Sequence, residues 1–136
     1  HGPMLTADDR EHRLVLERLA CDVGVGERVT FGEAVPHGGI APLLADADAL
    51  VNATAGHAAD KVVYEAAASC LPVFAASPVF DGLLPDGLRF DGDEPGSLAA
   101  RIRGYAGHDT AALRERVAGE HSVDGWADRV LAVLAR

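Results

Sequence analysis

The sequence predicts an α/β fold, a parallel sheet covered by helices on both faces. Three observations predict it. Two short, continuous apolar runs at 49–53 and 72–76 have the style of strands buried on both faces of a parallel sheet. Between them lies an Ala-rich segment, 60–70, that reads as a helix ended by Pro72. Short loops join strand-like and helix-like segments in alternation, the order from which parallel sheets are built. With 136 residues the chain fits one domain, 1–136.

The elements follow in order. Thr6 before Ala-Asp-Asp reads as an N-cap with acids in the first turn, where the helix dipole favours them. Leu14, Leu16, Leu19 and Val23 keep roughly helical spacing and Gly24 is a natural end, so the first helix is expected at 7–23. Arg28-Val-Thr-Phe reads as a short strand closed by Gly32, and Pro36 with Gly38-Gly39 as a turn. A short helix, 40–47, precedes the first apolar run. After the second run come a turn-rich loop at 83–87, a short strand at 88–90, a helix from 94 or 95 to 105, and a helical stretch from Thr110 with a break near 119–122. Four strands are expected in all.

Composition removes several function classes. A formal charge of −9 disfavours binding to a nucleic-acid backbone, which needs a basic surface. Apolar stretches are broken well short of the roughly 20 residues of a membrane-spanning helix. No secretory signal is visible at the start, and the expected location is cytoplasmic, with peripheral membrane attachment through another domain left open. Cys21 and Cys70 have no metal-like spacing and are expected as reduced, buried thiols. No cluster has zinc spacing, and no P-loop, nucleophile elbow or dinucleotide glycine motif is present; neither a metal nor a cofactor is expected.

The chemistry concentrates in the stretch from Asp48 to Ser77. In open parallel sheets ligands gather at the carboxyl ends of strands, where a loop hands over to a helix start. The loop from Thr54 to Lys61 holds that place. Backbone N–H groups at the helix start favour anions, and Lys61, the one lysine beside eleven arginines, adds a full positive charge. Glu65, four residues on, shares its helix face. An exposed Lys61–Glu65 ion pair explains the same spacing with no function at all. His12, His108 and His121 read as solvated surface residues.

Glu65 followed by Ala66-Ala-Ala-Ser-Cys-Leu-Pro72-Val73 resembles the donor-binding motif of family-four retaining glycosyltransferases. Glu27 to His37, Ile40 to Val51 and the closing His121-Ser-Val-Asp-Gly-Trp resemble, in the same order, the strand and base-side loop, the helix and strand, and the last helix of that family. The resemblance implies the C-terminal, Rossmann-like donor domain of a B-type two-domain enzyme that transfers sugar from a nucleotide-diphosphate sugar. It implies that Glu65 holds donor ribose, that Gly56, His57, Asp60 and Lys61 surround diphosphate and sugar, and that Gly32 and Glu33 border the base. The partner it implies is an N-terminal acceptor domain of the same protein.

Departures accompany the likeness. His57 stands where the family carries its first glutamate, and an imidazole can hydrogen-bond a sugar hydroxyl but supplies no fixed carboxylate. Cys70 replaces a glycine. Nothing matches the family's Arg and Lys diphosphate clamp, and no strand precedes the first helix. These gaps lead to the expectation of a fragment lacking its first strands, inactive alone and prone to self-association. A non-catalytic nucleotide-sugar-binding module of the same fold is the alternative. A receiver-like domain needs paired acids after its first strand, whereas Asp8-Asp9 open a helix.

Overall fold

The structure is a computed structural model that describes residues 5–54 and 56–135. The chain divides into two compact units, His1–Ile40 and Ala41–Arg136.

In the first unit, helix α1 spans Ala7–Asp22 and opens on a capping box. The Asp9 N–H donates to Thr6 Oγ1 at 3.1 Å, while the Thr6 N–H donates to Asp9 Oδ2 at 2.8 Å, so two orphan amides are satisfied reciprocally. Those bonds hold the Asp9 carboxyl below its usual range. At the other end the Gly24 N–H donates to Cys21 O and the Val25 N–H to Ala20 O, the paired closure expected of a glycine-terminated helix. A 3-10 turn, Gly26–Arg28, follows.

The strand expected at 28–31 does not form among the described residues. Val29 gives its N–H back to Gly26 O, closing the turn, and Phe31 O accepts from Arg13 Nη2 at 2.9 Å. Val-Thr-Phe has the side chains of a strand, but strand propensity is realised only against a neighbouring strand. Here a guanidinium takes the carbonyl instead. Helix α2, His37–Ala45, begins three residues before the expected 40.

In the second unit, strand β1 (Leu50–Asn52) pairs with β2 (Val73–Ala75) in parallel, with Leu50, Val51 and Asn52 facing Val73, Phe74 and Ala75. Helix α3, Lys61–Ala68, makes the crossover between them. This strand–helix–strand unit is the one the two apolar runs predict, and it makes the chain α/β. β2 is buried throughout, as expected; β1 is not, since Val51 is exposed while its register partner Phe74 lies under the edge of the Tyr105 ring at 5.6 Å.

The expected strand at 88–90 shrinks to one parallel bridge, Ala75 to Arg89, because Asp86–Leu88 coil into a 3-10 turn and carry the chain away from strand geometry. The described sheet therefore has two strands and a bridge in place of four strands. A further 3-10 turn, Pro78–Phe80, follows β2 and was not expected. Helices α4 (Pro95–Arg103), α5 (Thr110–Glu120) and α6 (Val123–Leu134) close the unit, with the expected break at 121–122, where the Ser122 hydroxyl caps the Gly125 N–H.

The core gathers Val63, Ala66 and Ala67 of α3, Val73 to Ala75 of β2, Phe80, Leu84, Leu88, and Leu113 and Val117 of α5. Alanines on α3 let it lie close to the sheet and to α5. Tyr64 adds a ring contact to Phe80 and another to His121, so His121 is stacked rather than simply solvated.

Helix α3 ends on a left-handed residue, Cys70, at φ +58°. Its N–H donates to Ala67 O and the Leu71 N–H to Ala66 O, the closure that normally uses glycine. A side chain in this region costs about 1–2 kcal/mol, and glycine's extra unfolded freedom returns about 0.4–1 of that. Cys70→Gly is accordingly expected to stabilise the protein by about 0.5–1 kcal/mol, read as a higher urea midpoint at unchanged slope. An unchanged or lower midpoint contradicts the strain. Both cysteines are free; Cys70 is half-buried and Cys21 exposed, so the expectation of buried thiols fails for Cys21.

Candidate functional site

The site is the loop between β1 and α3, bounded by the segment that leaves β2. Asn52 ends β1 and is 8% exposed, a polar residue at the carboxyl edge of an apolar run. Its Nδ2 donates to Asp60 Oδ2 at 2.7 Å, and Thr54 Oγ1 donates to the same oxygen at 2.6 Å. Asp60 is the N-cap residue of α3, yet its side chain makes no capping bond; it turns back to tie the helix start to the strand end. The Thr54 and Asn52 bonds hold its carboxyl below its usual value, against the opposing effect of burial.

That depression links Asp60 to stability. A carboxyl whose pKa is lower folded than unfolded stabilises the fold above its ordinary value of 3.8 and loses that contribution as pH falls through the folded value. Asp60→Asn is expected to be less stable than wild type near neutral pH, with the difference closing below pH 3.8. Urea midpoints at neutral pH and in acid check this, and a difference that persists undiminished in acid contradicts it.

From the other side, Ser77 follows β2 and is fully buried. Its Oγ donates to Gly56 O at 2.8 Å and accepts from the Val79 N–H. Gly56 itself sits at φ +74°, a conformation that glycine adopts without strain. The loops leaving the two strands are thus fastened to each other at their bases.

Of the residues singled out from sequence, Gly56, His57, Asp60, Lys61 and Glu65 lie along this loop and the first turns of α3. His57 and Lys61 are exposed and Glu65 is half-buried. Gly32 and Glu33 belong to the first unit, where Glu33 accepts from Arg13 Nη1 at 3.0 Å. Arg13 also bonds Glu17, and these carboxylates raise its already high pKa.

No protein-family model, curated protein or solved structure matches the chain. Among the described residues no group of three or more His, Cys, Asp or Glu side chains is placed to hold a metal ion, and no helix is long and apolar enough to cross a membrane.

Clefts elsewhere among the described residues include one of about 340 Å³ beside Trp126 and Val130 of α6 and two more. One of about 370 Å³ opens in the first unit beside Arg13, Cys21 and Phe31; the other, about 260 Å³, lies between Leu83, Pro85 and the His108–Arg116 side of α5. His108, read from sequence as solvated, is partly buried with its Nδ1 2.7 Å from Tyr105 Oη. Asn52, Thr54, Ser77 and Arg89 were not foreseen. A polar residue closing an apolar run is the signal that marks Asn52; Ser77 and Arg89 carry none, because their roles arise from contacts distant in sequence.

Proposed function

We propose that this chain is a donor-binding module of a retaining glycosyltransferase, with a Rossmann-like fold, that takes a nucleotide-diphosphate sugar. The observation that carries the reading is the position of the Glu65–Val73 stretch: it forms the second half of α3 and the entry to β2 in a parallel strand–helix–strand unit that follows the loop at the carboxyl end of β1. That is where ligands of parallel sheets sit.

In this reading the start of α3 and Lys61 receive the diphosphate, Glu65 accepts from ribose hydroxyls, and the exposed His57 borders the sugar. Transfer with retention needs positioning and stabilisation of the departing diphosphate rather than a metal centre, and a second, acceptor-binding domain supplies the other wall. The protein works in the cytoplasm, at the membrane surface where that second domain attaches to it.

Lys61 separates this reading from a bare surface lysine. Lys61→Ala is expected to weaken binding of a nucleoside diphosphate by about tenfold, the loss of one charge-assisted contact, while leaving the nucleoside unaffected. Calorimetry on both ligands decides it. Equal losses, or none, remove Lys61 from the site.

A further inference from the structure

Arg89 is the least expected residue of the second unit. It is bridged in register to Ala75, which is itself in register with Asn52, so Asn52, Ala75 and Arg89 form one row across the sheet. Residues in such register point to the same face. The Arg89 side chain is only 15% exposed. Its Nη2 donates to Ala76 O at 3.3 Å and lies 2.6 Å from Asp81 Oδ1 as an ion pair, while its Nε and Nη1 are buried with no hydrogen-bond partner among the described residues.

Stability alone is a poor reason for this arrangement. A buried guanidinium with unused donors costs free energy that an apolar side chain does not, and Asp81, 66% exposed, has water to fall back on. What the guanidinium does is hold a carbonyl. Ala76 O belongs to the residue before Ser77, and Ser77 carries the bond to Gly56 O. Gly92, three residues after Arg89, fits against the same place: a Cβ on it would stand 3.1 Å from the Ala76 Cβ and 3.8 Å from Ala53 O. Ala53 and Gly56 are therefore tied to segments 76–81 and 89–92 in one platform at the carboxyl end of the sheet.

We infer that Arg89 is a positioning residue for the β1–α3 loop, acting through Ala76 and Ser77 on Gly56, and that its buried charge adds to the attraction this loop has for a diphosphate. The ligand half of the inference rests on the function proposed above; the loop half does not. Arg89 touches no ligand itself.

The test compares wild type with Arg89→Met and Arg89→Lys. In ligand-free protein, amide NMR signals of 54–60 are expected to shift or broaden in Arg89→Met and to return toward wild type in Arg89→Lys, with little change in melting temperature. Pyrophosphate, titrated as the probe, is expected to bind at least tenfold more weakly to Arg89→Met, with recovery in the lysine variant. Perturbations confined to 76–81 overturn the positioning role, and equal pyrophosphate affinities overturn the electrostatic one. If wild type binds neither pyrophosphate nor nucleotide, the proposed function and the ligand half fail together, and the amide signals still decide whether Arg89 holds the loop.

Discussion

Phe80→Ala is expected to cost about 3–5 kcal/mol of stability, the range for emptying a fully buried aromatic site. Phe80 is inaccessible to solvent, it meets the Tyr64 ring edge-on at 5.6 Å, and its backbone closes the 3-10 turn that leads out of β2. Ser77, whose hydroxyl caps that turn, sits just before it, so the cavity would also loosen the support of Gly56. Against a typical domain stability of about 5–15 kcal/mol, the variant should be close to unfolding at physiological temperature. Trp126→Ala is the control: Trp126 is 60% exposed, and its loss should stay within about 0.5 kcal/mol. Urea titrations read both. A cost below 1 kcal/mol for Phe80 contradicts the packing of α3 against the turn after β2.

The parallel strand–helix–strand unit was legible because its signals are local. Apolar runs of strand length, alanines between them and Pro72 at the junction all act within a few residues. The cap of α1 was equally legible, since Thr6 binds its own neighbour Asp9, whereas Ser122 was marked only as part of a break and not as the cap of α6. The two failed strands share one cause. Whether Val29–Phe31 or Leu88–Phe90 becomes a strand depends on a partner far along the chain. In the first case the Arg13 guanidinium takes the Phe31 carbonyl, and in the second a single bridge to Ala75 is all that forms.

The candidate site divides in the same way. The loop at 54–61 and Lys61 were legible from the handover of strand to helix, while Gly56 and Asp60 were singled out through the resemblance. Their supports were not. The Asp60 carboxylate faces back to Asn52 and Thr54, Gly56 is pinned by a serine twenty-one residues on, and Arg89 reaches the platform through a bridge that no spacing announces. Cys70 gives the opposite lesson. A glycine of the resembled motif is replaced, and the left-handed backbone that favours glycine is kept.

Glu65 bears the central claim. Its carboxylate, half-buried one turn into α3, is proposed to accept from ribose hydroxyls, and a hydrogen bond to a charged group contributes about 1.5–3 kcal/mol. Glu65→Gln keeps the shape and removes the charge at a position that is not among the buried residues of the helix, Val63, Ala66 and Ala67, so the fold should hold. The decisive measurement is calorimetric titration of wild type and Glu65→Gln with a panel of nucleotide-diphosphate sugars. At least one is expected to bind wild type and to bind Glu65→Gln about 10- to 100-fold more weakly, at unchanged melting temperature. No binding by wild type, or equal affinities for the two proteins, contradicts the claim.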